Sequence, residues 1–153
     1  MAAALTIRPV THEDYEQWLP LWGSYNAFYG RSGDTALAPE ITRTTWARFF
    51  DDDEPVHALV AEADGTLFGL THYLFHRSTN TIQPVCYLQD LFTTEASRGR
   101  GVGRALIEGV YERARAADSP RVYWMTHETN QVAMALYNKV AARSGFLVYR
   151  KPL

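Results

Sequence analysis

The stretch from Val85 to Ala117 limits the possible folds more than any other. Val85-Cys86-Tyr87-Leu88-Gln89-Asp90-Leu91-Phe92-Thr93 reads as a long strand. After it, Arg98-Gly99-Arg100-Gly101-Val102-Gly103-Arg104 opens directly into a helix expected over Gly101 to Ala117. Leu106, Ile107, Val110, Tyr111 and Ala114 share one side of that helix, and charges occupy the other. A strand that feeds a helix through a tight turn demands a layered α/β arrangement. Glycines at alternate positions let main-chain N–H groups turn inward. The helix start adds partial positive charge, and Arg98, Arg100 and Arg104 add full charges. The result is a cradle for a phosphorylated ligand, a pyrophosphate above all.

Two common phosphate motifs fail here on residues. A P-loop needs Lys and then Ser or Thr after its last glycine, whereas Gly103 is followed by Arg104 and Ala105. A dinucleotide fingerprint needs Gly-x-Gly-x-x-Gly; Gly99 and Gly101 fit, but the third position is Arg104. A second block follows the helix. Arg121 to Thr126 reads as a strand, and Asn130 opens a helix that carries Ala133-Met134-Ala135-Leu136-Tyr137, with Gly145-Phe146 beyond.

Together, Arg98-Gly99-Arg100-Gly101-Val102-Gly103 (Arg-x-x-Gly-x-Gly) and the Asn130…Leu136-Tyr137…Gly145-Phe146 block resemble the Gcn5-related N-acetyltransferase superfamily. The likeness covers nearly the whole chain, most strongly Tyr87 to Tyr149 and only weakly before Pro55. It implies a mixed α/β sheet with helices on both faces, in which two central parallel strands splay and CoA enters the gap. It also implies acetyl transfer from acetyl-CoA to a primary amine, by direct attack in a ternary complex. Tyr87-Leu88-Gln89-Asp90 and the long spacing from Tyr137 to Gly145 are most similar to the histone and polyamine (diamine, thialysine) branch. A small diamine, polyamine or lysine-like acceptor follows from that branch, with a protein lysine as second choice. The alternative is a non-catalytic acyl-CoA sensor or interaction module of the same fold. An enzyme that carries a longer acyl chain is a second rival.

The resemblance also assigns residues. The main chain of Leu91, Phe92 and Thr93 meets the acyl group. Arg98, Gly99, Arg100, Gly101, Val102, Gly103 and Arg104 hold the diphosphate. Asn130 binds the pantetheine arm, and Tyr137 serves as cofactor contact and general acid. The branch pattern is Tyr-Leu-Glu-Asp, whose glutamate helps to relay the amine's proton; here Gln89 stands in its place and cannot be a base. Asp90 is left to take that role or to bind the substrate ammonium, or else to cap a strand bulge. Tyr25, Tyr29 and Glu128 are candidate acceptor contacts, with Asn26, Asp34 and His127 behind them; plain aromatic packing is the other reading of the tyrosines.

Composition sets bounds on partners. With 15 Lys and Arg against 17 Asp and Glu the net charge is −2, so no nucleic-acid surface is indicated. The single cysteine excludes an intrachain disulfide. Met1 to Thr6 is too short and lacks the basic residues of a secretion signal, and no apolar run is long enough to span a membrane. A cytoplasmic, one-domain chain (1–153) is expected, without a membrane partner and as a homodimer. His127-Glu128-Thr129-Asn130-Gln131 lacks the second histidine of a zinc motif, and His57, His72 and His76 suggest no ligand set, so no metal is expected.

The expected element order is β-α-α-β-β-β-α-β-α-β. Thr6 to Pro9 is an edge strand, and Thr11-x-x-Asp14 is a capping-box variant before a helix that Pro20 should kink or end. A mobile stretch from Tyr25 to Glu40 precedes a helix over Thr42 to Phe50. Asp64-Gly65 joins a hairpin between 57–62 and 66–74. A helix over 131–143 and a strand over 146–151 complete the chain.

Overall fold

The computed structural model describes residues 4–153. Met1, Ala2 and Ala3, part of the stretch read for a secretion signal, lie outside the described residues. Five strands form one mixed sheet whose spatial order follows the chain: β1 (Thr6–Pro9), β2 (Val56–Ala63), β3 (Thr66–His76), β4 (Val85–Thr93) and β5 (Val122–Tyr123). The first four are antiparallel, and β5 runs parallel to β4. Asp64 and Gly65 both take positive φ, 52° and 75°, as the tight β2–β3 turn requires.

Helices cover both faces. On one face α1 (Tyr15–Phe28) and α2 (Pro39–Arg48) bury an aromatic core of Trp18, Trp22 and Tyr25 over Val60 and Leu70. On the other, α3 (Val102–Ala116) packs Leu106, Ile107 and Val110 on Leu59, Cys86 and Leu88, and α4 (Gln131–Val140) adds Leu136 and Tyr137. α3 lies close to the sheet because two glycines leave it room. A Cβ on Gly69 would meet the Phe92 carbonyl oxygen at 2.8 Å, and one on Gly109 would meet Ile7 Cγ2 at 2.8 Å. Among the described residues no helix is long and apolar enough to cross a membrane.

Several boundaries differ from the sequence expectation. Pro20 lies inside α1, which runs on to Phe28. Its ring faces solvent, while Trp18, Leu21, Trp22 and Tyr25 hold the opposite side on the sheet, so packing outweighs one lost hydrogen bond. The stretch from Tyr25 to Glu40 is largely regular: the end of α1, a 3-10 turn over Gly33–Thr35, and α2, which starts at Pro39 rather than Thr42. Proline at a helix's first position costs nothing, because that N–H has no helical partner. The strand expected over 121–126 shrinks to Val122–Tyr123. The strand expected over 146–151 is not formed: residues 141–153 carry no regular structure, and Phe146 and Tyr149 are 89% and 94% exposed. Ala141 is already extended where α4 ends, and residues 146–151 have no strand beside them to pair with. Strand-forming composition without a ladder partner does not make a strand.

Candidate active site

The opening between β4 and β5 organises the site. The two strands pair only at Cys86 with Val122 and at Tyr87 with Tyr123. Beyond Tyr87 β4 stays paired with β3 as far as Thr93, but its other edge is open, because 124–126 diverge. Leu91, Phe92 and Thr93 lie on this one-sided length, and these residues are half-buried. The splay has a steric setting: the bulky Trp124 packs into the α3–α4 face instead of continuing the ladder.

At the end of β4 a short 3-10 turn, Glu95–Ser97, leads into the glycine segment. Gly99 has φ 77°, and Gly101, the residue before α3, has φ 74° and ψ 17°. A Cβ at either glycine would meet nothing within 4 Å. Their requirement is therefore conformational: left-handed backbone is costly for any residue with a Cβ. Ala105 N–H is bonded to the Gly101 carbonyl, so the amides of Val102, Gly103 and Arg104 precede the helical ladder and are open to a ligand. Val102 itself is buried as the first anchor of α3. Arg98 is well exposed and 3.9 Å from Glu95, Arg100 lies over the Phe68 ring at 5.3 Å, and Arg104 is 3.0 Å from Glu108. Exposed arginines held this weakly can turn to phosphates. The cradle thus fits a diphosphate through its main chain, with flexible cations at its rim.

Asn130 precedes α4 but makes no side-chain cap; its Nδ2 donates to Thr126 Oγ1 at 3.4 Å. The ordinary capping role is not used, and the amide is left beside the β4–β5 opening. Tyr137 stands on α4 with its ring edge-on to Trp124, centroids 5.4 Å apart. Burial first, and Tyr29 next, push its phenol up to about 12, so it stays protonated at neutral pH.

The second half of the site is a cavity of about 860 Å³ between α1, α2 and the ends of β3 and β4. Tyr25 and Tyr29 line it, as do Gln89, Asp90 and His127. Asn26 is buried and accepts a hydrogen bond from Arg31 Nε at 2.7 Å. Asp34 and Glu128 are exposed and do not line the cavity. The Tyr25 phenol is raised by burial and then by the Asp90 carboxylate beside it, and Tyr29 is raised by the same two causes.

The position of Asp90 comes from a bulge. His72 pairs with Asp90 and Tyr73 with Leu88, which leaves Gln89 as the extra residue of β4. Gln89 is pushed outward and exposed, while Asp90 is turned inward and only 8% exposed. The bulge is therefore at Gln89, and Asp90 does more than cap it. Asp90 Oδ2 accepts a hydrogen bond from His72 Nδ1 at 2.9 Å, and Thr71 Oγ1 donates to the Asp90 main-chain oxygen at 2.8 Å. His72 Nε2 in turn meets Trp18 Nε1 at 3.1 Å. Sequence reasoning missed His72 and Trp18, and also Arg31, Arg48 and Arg150, which line the same cavity. One signal was legible: a buried-looking histidine on a strand facing a tryptophan-rich helix. The partner of that histidine was not, because the bulge shifts the register.

A sheet splayed beside a glycine-opened helix, next to a cavity with a buried carboxylate, defines the acyl-CoA N-acyltransferase architecture. Residues 13–142 match the Acetyltransferase (GNAT) family, and the chain belongs to it. It is an acetyl-CoA-dependent N-acetyltransferase. Over 149 residues it is 36% identical to the D-amino-acid N-acetyltransferase HPA3 of Saccharomyces cerevisiae, covering 96% of this chain and 90% of that one. The crystal structure of a probable acetyltransferase superposes with a TM-score of 0.83 at 24% identity, covering 97% of each chain. The aminoglycoside N-acetyltransferase AAC(6')-Iy in complex with CoA superposes with a TM-score of 0.80 at 18% identity, covering 99% of this chain and 97% of that one.

Proposed function

We propose that this enzyme acetylates the amino group of a free amino acid, the D-enantiomer first, rather than a diamine. The observation that carries this reading is the charge pattern of the acceptor cavity. Asp90 is the one acidic side chain among its lining residues, and Arg31, Arg48 and Arg150 line it as well. One carboxylate matches one ammonium; the arginines match a carboxylate. A diamine would place its second cation among those arginines. The likeness to a yeast D-amino-acid N-acetyltransferase supports the same choice. The Tyr87-Leu88-Gln89-Asp90 pattern is what favours a diamine or polyamine, with a protein lysine behind it.

The chemistry asks little of the protein. An ordinary amine near pKa 10.4 is neutral in about one molecule in 2,500 at pH 7, a deficit of roughly 4–5 kcal/mol. Asp90 draws in the ammonium and takes its proton; the freed nitrogen lone pair can then form the amide bond. A main-chain N–H of the Leu91 to Thr93 stretch, on the edge of β4 that β5 leaves open, is the donor for the thioester oxygen. Bound acetyl-CoA supplies an acyl carbon whose bond to sulfur breaks in the same exchange. Tyr137 gives its hydroxyl proton to the departing sulfur, and the second proton that the nitrogen sheds as the amide forms restores the phenol. Gly99 to Arg104 grip the diphosphate, and Asn130 holds the pantetheine arm.

Thiol release from acetyl-CoA tests the reading across matched D- and L-amino acids, diamines, polyamines and a lysine peptide, with product mass as a second readout. Amino acids should lead. Diamine turnover with amino acids inert would sink it. A homodimer is part of the same proposal, supported by the exposed apolar run Phe146-Leu147-Val148-Tyr149. Sedimentation equilibrium at micromolar concentration checks it: a monomer mass of 17.3 kDa would count against it.

A further inference from the structure

Three side chains from three elements form one buried chain behind the acceptor cavity. Trp18 of α1 is 0% exposed, His72 of β3 is 3% exposed, and Asp90 of β4 is 8% exposed. An indole nitrogen can only donate, so Trp18 Nε1–H must give its proton to His72 Nε2 at 3.1 Å. That nitrogen is therefore bare. The one ring proton of a neutral imidazole then sits on Nδ1 and is donated to Asp90 Oδ2 at 2.9 Å. Each nitrogen of the chain is paired, and Asp90 Oδ1 is left for the substrate. A second proton on His72 would set two N–H groups head to head in a dry place, at a cost of about 1–3 kcal/mol. It would also neutralise Asp90.

We propose that Trp18 and His72 are positioning residues: the indole fixes the imidazole tautomer, and the imidazole keeps Asp90 an oriented anion for the substrate's ammonium. Rings of Phe49 and Trp22, with centroids 4.8 and 5.1 Å away, pack on His72 and keep water from competing. The other titratable groups that face the pair are Tyr25 of α1, Tyr29 and Arg31 after it, Arg48 of α2, Tyr87 of β4, and His127 and Arg150 across the cavity. The phenols of Tyr25, Tyr29 and Tyr87 are raised and remain neutral donors. The proposal rests on the reading of Asp90 as the ammonium's partner.

Two measurements on the full chain test it. The first is ring-nitrogen NMR of labelled histidine without substrate. Wild type should show His72 as the Nδ1–H tautomer, and Trp18→Phe, which no longer donates to Nε2, should lose that signature. The second is the pH profile of kcat/KM for the best amine. Trp18→Phe should move its acid limb up, with KM raised about tenfold near pH 6 and under about twofold near pH 8.5, and kcat little changed. His72→Asn keeps an N–H for Asp90 and cannot charge; it should restore the profile that His72→Phe loses. Melting curves identify any variant that fails to fold, and the His72 pair then decides alone. An Nε2–H tautomer in wild type, or folded variants with an unshifted profile, overturns the proposal. An Asp90→Asn enzyme with unchanged KM overturns the ammonium reading instead, and the NMR result would still report the tautomer.

Discussion

The ring of Tyr137 meets Trp124 edge-on, 5.4 Å between centroids, where the chain leaves the sheet after β5. Trp124 thereby fixes the phenol of α4 beside the strand opening. Burial, then Tyr29, raise that phenol to about 12, so the acid form persists well above neutral pH. Tyr137→Phe should lower kcat by about a hundredfold. Acetyl-CoA affinity, read by calorimetry, should stay within about twofold.

The left-handed backbone at Gly101 makes a sharp contrast with Gly103. Gly101→Ala should cost about 1–2 kcal/mol of strain, and relieving it would swing the first amides of α3 away. Acetyl-CoA affinity should fall at least about tenfold. Gly103→Ala brings its methyl only to 3.4 Å from Leu136 Cδ2, so it should bind acetyl-CoA nearly as well as wild type. Equal losses in both variants would show that space, not conformation, is what the turn needs.

Gln89 is the outward residue of the β4 bulge and lines the acceptor cavity. Gln89→Glu adds a second carboxylate next to Asp90. The ratio of kcat/KM for a diamine over an amino acid should rise, by about tenfold. Competition assays with both amines present measure this ratio directly.

Asp14 carries a stability prediction with a defined sign. Arg8 grips both its oxygens at 2.7 and 2.8 Å, and the Thr11 N–H adds a third hydrogen bond. The Arg8 hydrogen bond, chiefly, holds the Asp14 carboxyl below the usual carboxylate range. A depressed folded-state value means the stabilisation is present above the unfolded pKa, near 4, and is lost as pH falls below it. Asp14→Asn should therefore cost about 2 kcal/mol at pH 7 and less near pH 3, by urea melts at both.

The hairpin, β4 and α3 were legible because their signals are local. Asp64-Gly65 can take positive φ at both positions, and Leu106, Ile107 and Val110 repeat at helical spacing. The glycine turn was legible for the same reason, since Gly99 and Gly101 are adjacent in sequence to the helix they open. The path of α1 through Pro20 was not, because the packing of Trp18 and Trp22 on a distant sheet decides it. The strand at 146–151 was wrongly expected because composition reports propensity, whereas pairing depends on a neighbour.

The order of residues alone determined the glycine turn before α3 and the acetyltransferase family, since both depend on contiguous turns and repeats. Only the folded sheet decided which side chains line the cavity beside it. A single extra residue at Gln89 turns Asp90 inward and pairs it with a histidine 18 positions away and, through that ring, with Trp18 on another element. Such contacts depend on strand register and on burial, and neither is written in the local pattern of the chain.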